Sequence, residues 1–374
     1  MALNLITLRD SSVVMTLSGR GSERNDKQII EQRKEEHIAI TVSKNTVASY
    51  NFWDDVVLEH NALPEVDYEE IDLTTKFLNK KLGLPLMITG ITGGFRKAKD
   101  INAYLARIAE EYQIPMGVGS QRAMLVKKSL AYTYSVIREY DIPIRIANIG
   151  APQLRELSLD DLKYLVDEIE AHAIAIHLNY LQEIVQPEGD REARGVLQRI
   201  SEVVKEIGVP VIVKETGAGI SGNVAKKIIK VGVSAIDASG VSGTSFSAVE
   251  YYRALRTQDD RRANMGRLLW DWGIPAPLAV INCRRAINAS RKRVYLIGSG
   301  GIRHGLDIAR ALVLGADIAG IARRALEMYF RGENLDPIVE ELKAVMFLTG
   351  SRTVKHLKGV RYYIIGKLAE FVKR

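Results

Sequence analysis

The sequence holds one cysteine, Cys283, among its 374 residues. A single thiol excludes an internal disulfide and any zinc or iron–sulfur centre built from several cysteines. Lying in a helical pattern, it reads as a small packed hydrophobe. No apolar run approaches the ~18 uncharged residues of a membrane-spanning helix. The short apolar run near the N-terminus is broken by Arg9 and Asp10, which argues against a signal peptide. Cytoplasmic localisation is therefore expected, with no membrane partner. Basic residues outnumber acidic ones by 52 to 45. No basic stripe or nucleic-acid module organises that excess, so no nucleic-acid partner is expected and anionic small molecules remain. The basic stretch 352–374 reads as an amphipathic helix packed on the body.

Hydrophobic residues make up 47% and charged residues 26%, an ordinary globular balance. Residues 1–30 lack periodic patterning and are rich in Ser, Arg, Asp and Gly, which predicts a mobile arm ahead of a single domain over 31–374. From position 84 onward, eight short apolar runs recur: 84–90, 114–120, 142–150, 173–179, 209–216, 234–240, 294–300 and 318–323. They are near-continuously apolar, as parallel strands covered on both faces are. Helical patterns separate them, at roughly 30 residues per unit. Eight such units close an α/β fold of the (β/α)8 TIM-barrel class. A doubly wound sheet would carry its glycine-rich loop at the first strand, whereas here it follows the seventh. The connection between strands six and seven, 241–293, is too long for one crossover and predicts an extra element before a helix starting near Ala276.

In such a barrel the chemistry sits where the strands end, and here every strand ends in polar or glycine-rich residues. GSGGIRHG (298–305) offers glycines and then a helix N-terminus, the arrangement that receives a phosphate. Lys214 closes the fifth strand and is open to three readings: a surface lysine, a cation beside an electron-rich ring, or a Schiff-base lysine. His177 and Asn179 are two apart and share a strand face. Glu183 follows and suits a hard divalent cation. Arg33, Lys34 and His37 cluster ahead of the barrel, where an anion clamp is one reading and a solvated charge run the other.

The pieces RKEEHI, MITGITGG, MGVGSQRA, ANIGAPQL, HLNYLQEIVQPEGDR, VKETGAGIS, DASGVSGTSF, DWGIP and GSGGIRHGLDIARALVLGAD occur in this order from position 33 onward. With them the sequence resembles the type 2, FMN-dependent isopentenyl-diphosphate isomerases, in their archaeal-like form. The resemblance implies interconversion of isopentenyl and dimethylallyl diphosphates in isoprenoid biosynthesis, using reduced FMN, Mg²⁺ and NADPH as reductant, in a homotetramer or homo-octamer. It implies FMN held by Thr89, Ile91, Thr92, Gly93, Ser120, Asn148, Lys214, Ser239, Thr244, Gly300, Gly301, Ile302, Arg303, Ala322 and Arg323. The diphosphate substrate would meet Arg33, Lys34, His37, Ser120, Gln121, Arg122, Asn179 and Gln182. Lys214, Gln182 and His177 are the candidate catalytic residues, and Glu183 the metal ligand.

The competing reading is an FMN-dependent 2-hydroxy acid oxidoreductase, which needs a His–Arg pair beside the flavin. Arg303 and His304 invite it, although His304 stands past the phosphate glycines.

Overall fold

The computed structural model describes residues 22–373, with side chains from residue 31 onward. Eight parallel strands close into a barrel: β1 (Leu86–Ile88), β2 (Met116–Gly117), β3 (Arg145–Gly150), β4 (Ala173–Leu178), β5 (Val211–Glu215), β6 (Ala235–Asp237), β7 (Tyr295–Gly298) and β8 (Ile318–Ile321). Each pairs with its neighbours in sequence, and β8 closes on β1 through Ala319–Ile321 against Leu86–Ile88. All eight lie inside the apolar runs of the sequence.

The pleat explains the doubly apolar composition, because alternate side chains enter two different cores. Met87, Ile146, Ala175, Ile212, Ala235, Ile297 and Ile318 fill the barrel interior. Their neighbours Leu86, Ile88, Ile174, Ile176, Val213, Ile236 and Leu296 pack outward against the surrounding helices. A short hairpin, Thr75–Phe77 with Lys80–Leu82, plugs the lower end of the barrel. Its Phe77 and Leu82 are 0% and 1% exposed and join the inner core. Burying each contributes about 2–3 kcal/mol.

Helix α1 (Ser22–Ser43) precedes the barrel. The arm expected over 1–30 falls at 1–21 outside the described residues, and positions 22–30 belong to α1. The long connection after β6 holds helices Phe246–Arg256 and Asp260–Leu268, and the helix expected near Ala276 runs Ala276–Ser290. The single helix expected over 352–374 is corrected. A short helix, Val354–Leu357, leads to a strand, Tyr362–Ile364, which pairs antiparallel with Val56–Leu58 before a last helix, Gly366–Val372. The run Tyr362-Tyr363-Ile364 is β-prone, and Gly359 and Gly366 punctuate it on either side. No helix among the described residues is long and apolar enough to cross a membrane.

Candidate active site

The pleat that fills the barrel also builds the floor of its mouth. Two positions beyond the inward residues Met87, Ile146, Ala175, Ile212, Ile297 and Ile318 stand Thr89, Asn148, His177, Lys214, Ser299 and Gly320. All six line one cavity of about 630 Å³ at the C-terminal ends of the strands. Helix α1 covers part of this cavity. Arg33, Lys34, His37, Ile38 and Thr41 recur at helical spacing and face inward as a stripe.

The polar contacts of α1 with the barrel are predominantly charged. Lys127 pairs with Glu31 at 2.6 Å, Arg33 with Glu188 at 3.5 Å and Arg253 with Glu36 at 3.2 Å. His37 Nε2 lies 2.9 Å from Glu250 Oε1, at ion-pair distance although outside hydrogen-bond geometry. Glu250 is the hub beneath the helix: its Oε1 accepts from Gln182 Nε2 at 2.9 Å and its Oε2 from Arg253 Nη1 at 2.7 Å. Burial opposes its charge, but His37, Arg253 and Gln182 outweigh burial and hold the carboxyl down at about 2.

Lys34 Nζ donates to the carbonyl of Ser120 at 2.6 Å and to Tyr134 Oη at 3.2 Å. Burial, then Arg33, then Arg122 press its ammonium from 10.5 down to about 7. Arg33 is likewise lowered, by burial first and by Arg122 and Arg253, against the pull of Glu188 and Glu250. Three mutually repelling cations in one wall are the signature of a site built for an anion.

His177 carries a different message. Asn148 Nδ2 donates to Val118 O at 2.9 Å, which turns Asn148 Oδ1 toward His177 Nδ1 at 2.8 Å. Only a protonated Nδ1 satisfies that acceptor. Burial, then Lys214 and Lys34, lower the imidazole to about 3. The ring is therefore neutral, and its Nε2 carries a lone pair. Lys214 Nζ donates to Glu215 O at 3.0 Å. The buried Glu183 accepts from Asn179 Nδ2 and from the Asp190 amide, each at 2.8 Å.

Opposite the cationic wall, loops after β6, β7 and β8 form a glycine-rich cradle. Gly301 has φ +89°, and a Cβ on Gly243 would lie 2.5 Å from Gly301 N, so the close approach requires glycine at both. Thr244 Oγ1 is buried with no hydrogen-bond partner among the described residues. The helix Arg323–Arg331 begins at Ala322 without a side-chain cap. An unpaired hydroxyl, close-set backbone and a helix N-terminus fit the phosphate end of FMN.

The structure brings every candidate site residue to this cavity except Gln121. Gln121 is fully buried behind the loop, where Nε2 donates to Leu165 O at 2.9 Å and Oε1 accepts from Asn148 N at 2.9 Å. Its substrate role is corrected to one of holding Asn148 in place. Two arginines are also corrected in detail. Arg303 spends its guanidinium on Asp54 at 2.6 Å and Asp307 at 2.9 Å, while Arg323 binds Glu327 at 2.9 Å and Thr46 at 3.0 Å. Both line the cavity with their side chains already engaged. His304 caps the helix Gly305–Val313 through Asp307 N, outside the cavity lining. Sequence reasoning missed Glu250 and Arg253, whose i, i+3 spacing looks like a surface ion pair, and Tyr134, which has no local signal.

A closed eight-stranded parallel barrel with a cavity at the C-terminal ends of its strands defines the class, that of the (β/α)8 barrels. The family model for FMN-dependent dehydrogenase matches residues 171–362. Fold likeness agrees: a lactate oxidase of Pediococcus acidilactici superposes with a TM-score of 0.62 at 14% identity, covering 92% of this chain and 94% of that one. A mandelate oxidase superposes with a TM-score of 0.58 at 13% identity, covering 92% and 100%. Within this class the sequence is more specific. The isopentenyl-diphosphate delta-isomerase of Thermoplasma volcanium is 46% identical over 355 residues, covering 92% of this chain and 100% of the relative. That of Pyrococcus abyssi is 44% identical, covering 91% and 94%, and that of Archaeoglobus fulgidus 42% identical, covering 91% and 98%. The chain belongs to the isopentenyl-diphosphate delta-isomerase family.

Proposed function

We propose that this cavity interconverts isopentenyl and dimethylallyl diphosphates over bound FMN. The observation that carries the reading is the pairing of two anion-receiving walls in one mouth. The cradle at Gly243, Thr244, Gly301 and Ala322 suits a flavin phosphate. The separate cluster of Arg33, Lys34 and Arg122 suits a diphosphate. A 2-hydroxy acid oxidoreductase lacks support, because Arg303 is committed to carboxylates and His304 lies outside the cavity.

Reduced FMN, when bound, supplies the acid–base group for a proton shift between carbons. The protein's own residues then position and insulate. Arg33, Lys34 and Arg122 grip the diphosphate and fix the hydrocarbon end relative to the floor. Glu183 would hold one face of a Mg²⁺ ion. Among the described residues no three His, Cys, Asp or Glu side chains group around an ion. The metal would therefore complete its shell with water and substrate oxygens, as Mg²⁺ commonly does. Lys214, which lines the cavity, would hold its ammonium beside bound FMN and would favour negative charge on the reduced ring. Neutral His177 offers the Nε2 lone pair as a hydrogen-bond acceptor. Gln182, held by Glu250, and Asn179, held against Glu183, orient the substrate between them. Ile38 and Phe246 help keep water from the reacting carbons. By family resemblance we further propose NADPH as reductant, a homotetramer or homo-octamer as the working form, and the cytoplasm as its location.

The reaction is redox-neutral overall, so the decisive experiment limits the reductant. With excess isopentenyl diphosphate and substoichiometric NADPH or dithionite, many product molecules are expected per reducing equivalent. One product per equivalent, or full activity with oxidised FMN, overturns the reading.

Lys34 adds a pH signature. A diphosphate in the clamp raises its pKa above the free value of about 7. Its contribution to affinity is therefore complete below pH 7 and is lost as pH rises, by up to about tenfold per unit until the bound-state pKa is passed. The fall should show in substrate Kd against pH and flatten in Lys34→Arg. An unchanged profile in that variant removes Lys34 from the clamp.

A further inference from the structure

The segment 51–55 runs along the glycine-rich loop, with Asn51 in the cavity lining, and makes three contacts to it and a fourth to the facing loop. Trp53 Nε1 donates to the carbonyl of Gly300 at 2.8 Å, and Asn51 Nδ2 donates to the carbonyl of Gly301 at 3.2 Å. The amide of Phe52 donates to Ser242 Oγ at 3.0 Å, on the facing loop. Asp54 takes the Arg303 guanidinium at 2.6 Å. The segment is itself locked: Asn51 Oδ1 accepts from Trp53 N at 3.0 Å, and Trp53 is 0% exposed.

A trans peptide points its C=O and N–H in opposite directions. Fixing the carbonyl of Gly300 toward the segment therefore turns the amide of Gly301 away from it. Fixing the carbonyl of Gly301 does the same to the amide of Ile302. Gly301 and Ile302 both line the cavity. Positive φ values of 86° and 89° at Gly300 and Gly301 allow this twist, and the absence of a side chain on Gly243 leaves Gly301 N uncovered.

We propose that residues 51–55 act as a strap, in which Trp53 and Asn51 are positioning residues that aim the amides of Gly301 and Ile302 at the flavin phosphate. Neither side chain needs to touch that phosphate. Each consumes a carbonyl so that the next amide is presented in advance, which lowers the ordering cost of binding. The inference rests on the reading that this wall receives the phosphate of FMN.

Comparing two flavins that differ only in that phosphate tests it. The full-length chain, stripped of flavin, is titrated with FMN and with riboflavin by quenching of flavin fluorescence. Trp53→Phe removes one donor. Asn51→Ser removes the other, adds no charge near the phosphate, and keeps an oxygen that can accept from Trp53 N. The wild-type chain should bind FMN much more tightly than riboflavin. Each variant should weaken FMN binding by about tenfold while moving riboflavin by less than about twofold. Equal losses for both flavins would show a merely structural contact and overturn the strap, as would no loss in either variant. A wild-type chain that binds riboflavin as tightly as FMN would instead overturn the phosphate assignment itself. Should Trp53→Phe fail to fold, Asn51→Ser carries the test, because position 51 is only half-buried and serine keeps a capping oxygen.

Discussion

Glu250→Ala is expected to lower the stability of the protein by about 3 kcal/mol and to raise the Michaelis constant for the diphosphate. The carboxylate is almost fully buried, at 1% exposure; Gln182 and Arg253 donate to it, and His37 stands at ion-pair distance. Removing one partner of a buried charge network leaves the others desolvated and unpaired, at about 3–5 kcal/mol. The depression of the carboxyl from 4.5 to about 2 corresponds to about 3 kcal/mol, in agreement. Because the folded-state value is the lower one, this stabilisation is present above pH ~4.5 and disappears as pH falls toward 2. Urea unfolding at pH 7 and pH 3 should therefore separate wild type and variant widely at the first pH and less at the second. The Michaelis effect follows from geometry, since His37 and Glu36 moor α1 to this hub and α1 carries Arg33 and Lys34. An equal difference between wild type and variant at both pH values would show that Glu250 is not charged in the folded state.

Gly301→Ala is expected to yield a folded protein that purifies without flavin. The backbone at 301 sits at φ +89°, where an L-residue is strained by about 1–2 kcal/mol. The added Cβ would also lie 2.5 Å from the Ser242 carbonyl carbon and 2.6 Å from its oxygen. Both atoms are backbone, so the loop itself must shift. That shift carries the cradle amides with it, and an affinity loss of at least about a hundredfold follows from some 3 kcal/mol of displaced contacts and strain. Visible absorbance of the purified variant reads the loss, and far-UV circular dichroism checks that the barrel persists. Stoichiometric FMN in the variant would place the cofactor phosphate elsewhere.

The barrel was legible because buried parallel strands write both of their faces as apolar residues, so eight runs stood out without any knowledge of pairing. The floor of the mouth was legible for the same reason: once Ala173 and Ala175 are inside, His177 must be, and the parity extends to Asn148 and Lys214. Legibility ended where parity ended. Strand β2 stops at Gly117, and the turn that follows sends Ser120 to the cavity and Gln121 behind it. Arg303 looked like a phosphate ligand because nothing in its neighbourhood announces Asp54, which lies 249 positions away. Glu250 and Arg253 were hidden by their ordinary spacing on a helix, whose buried face depends on where α1 lands. Tyr362 to Ile364 read as helix because the strand they pair with, Val56–Leu58, is some 300 residues distant.

That last pairing governs how the protein comes into being. Asp55, next to Trp53 and Asp54, accepts from Leu368 N at 2.9 Å, and its carbonyl accepts from Ile365 N at 2.9 Å. The segment that contacts the glycine-rich loop is thus made well before its partners, 247 positions ahead of Gly300 and 313 ahead of Leu368. At ~5–20 residues per second the wait is roughly 15–60 s. Until residues 365–368 are in place, the segment 51–55 lacks this second anchor. A chain ending before residue 362 should therefore bind FMN more weakly than the full chain, because the segment 51–55 has lost that anchor.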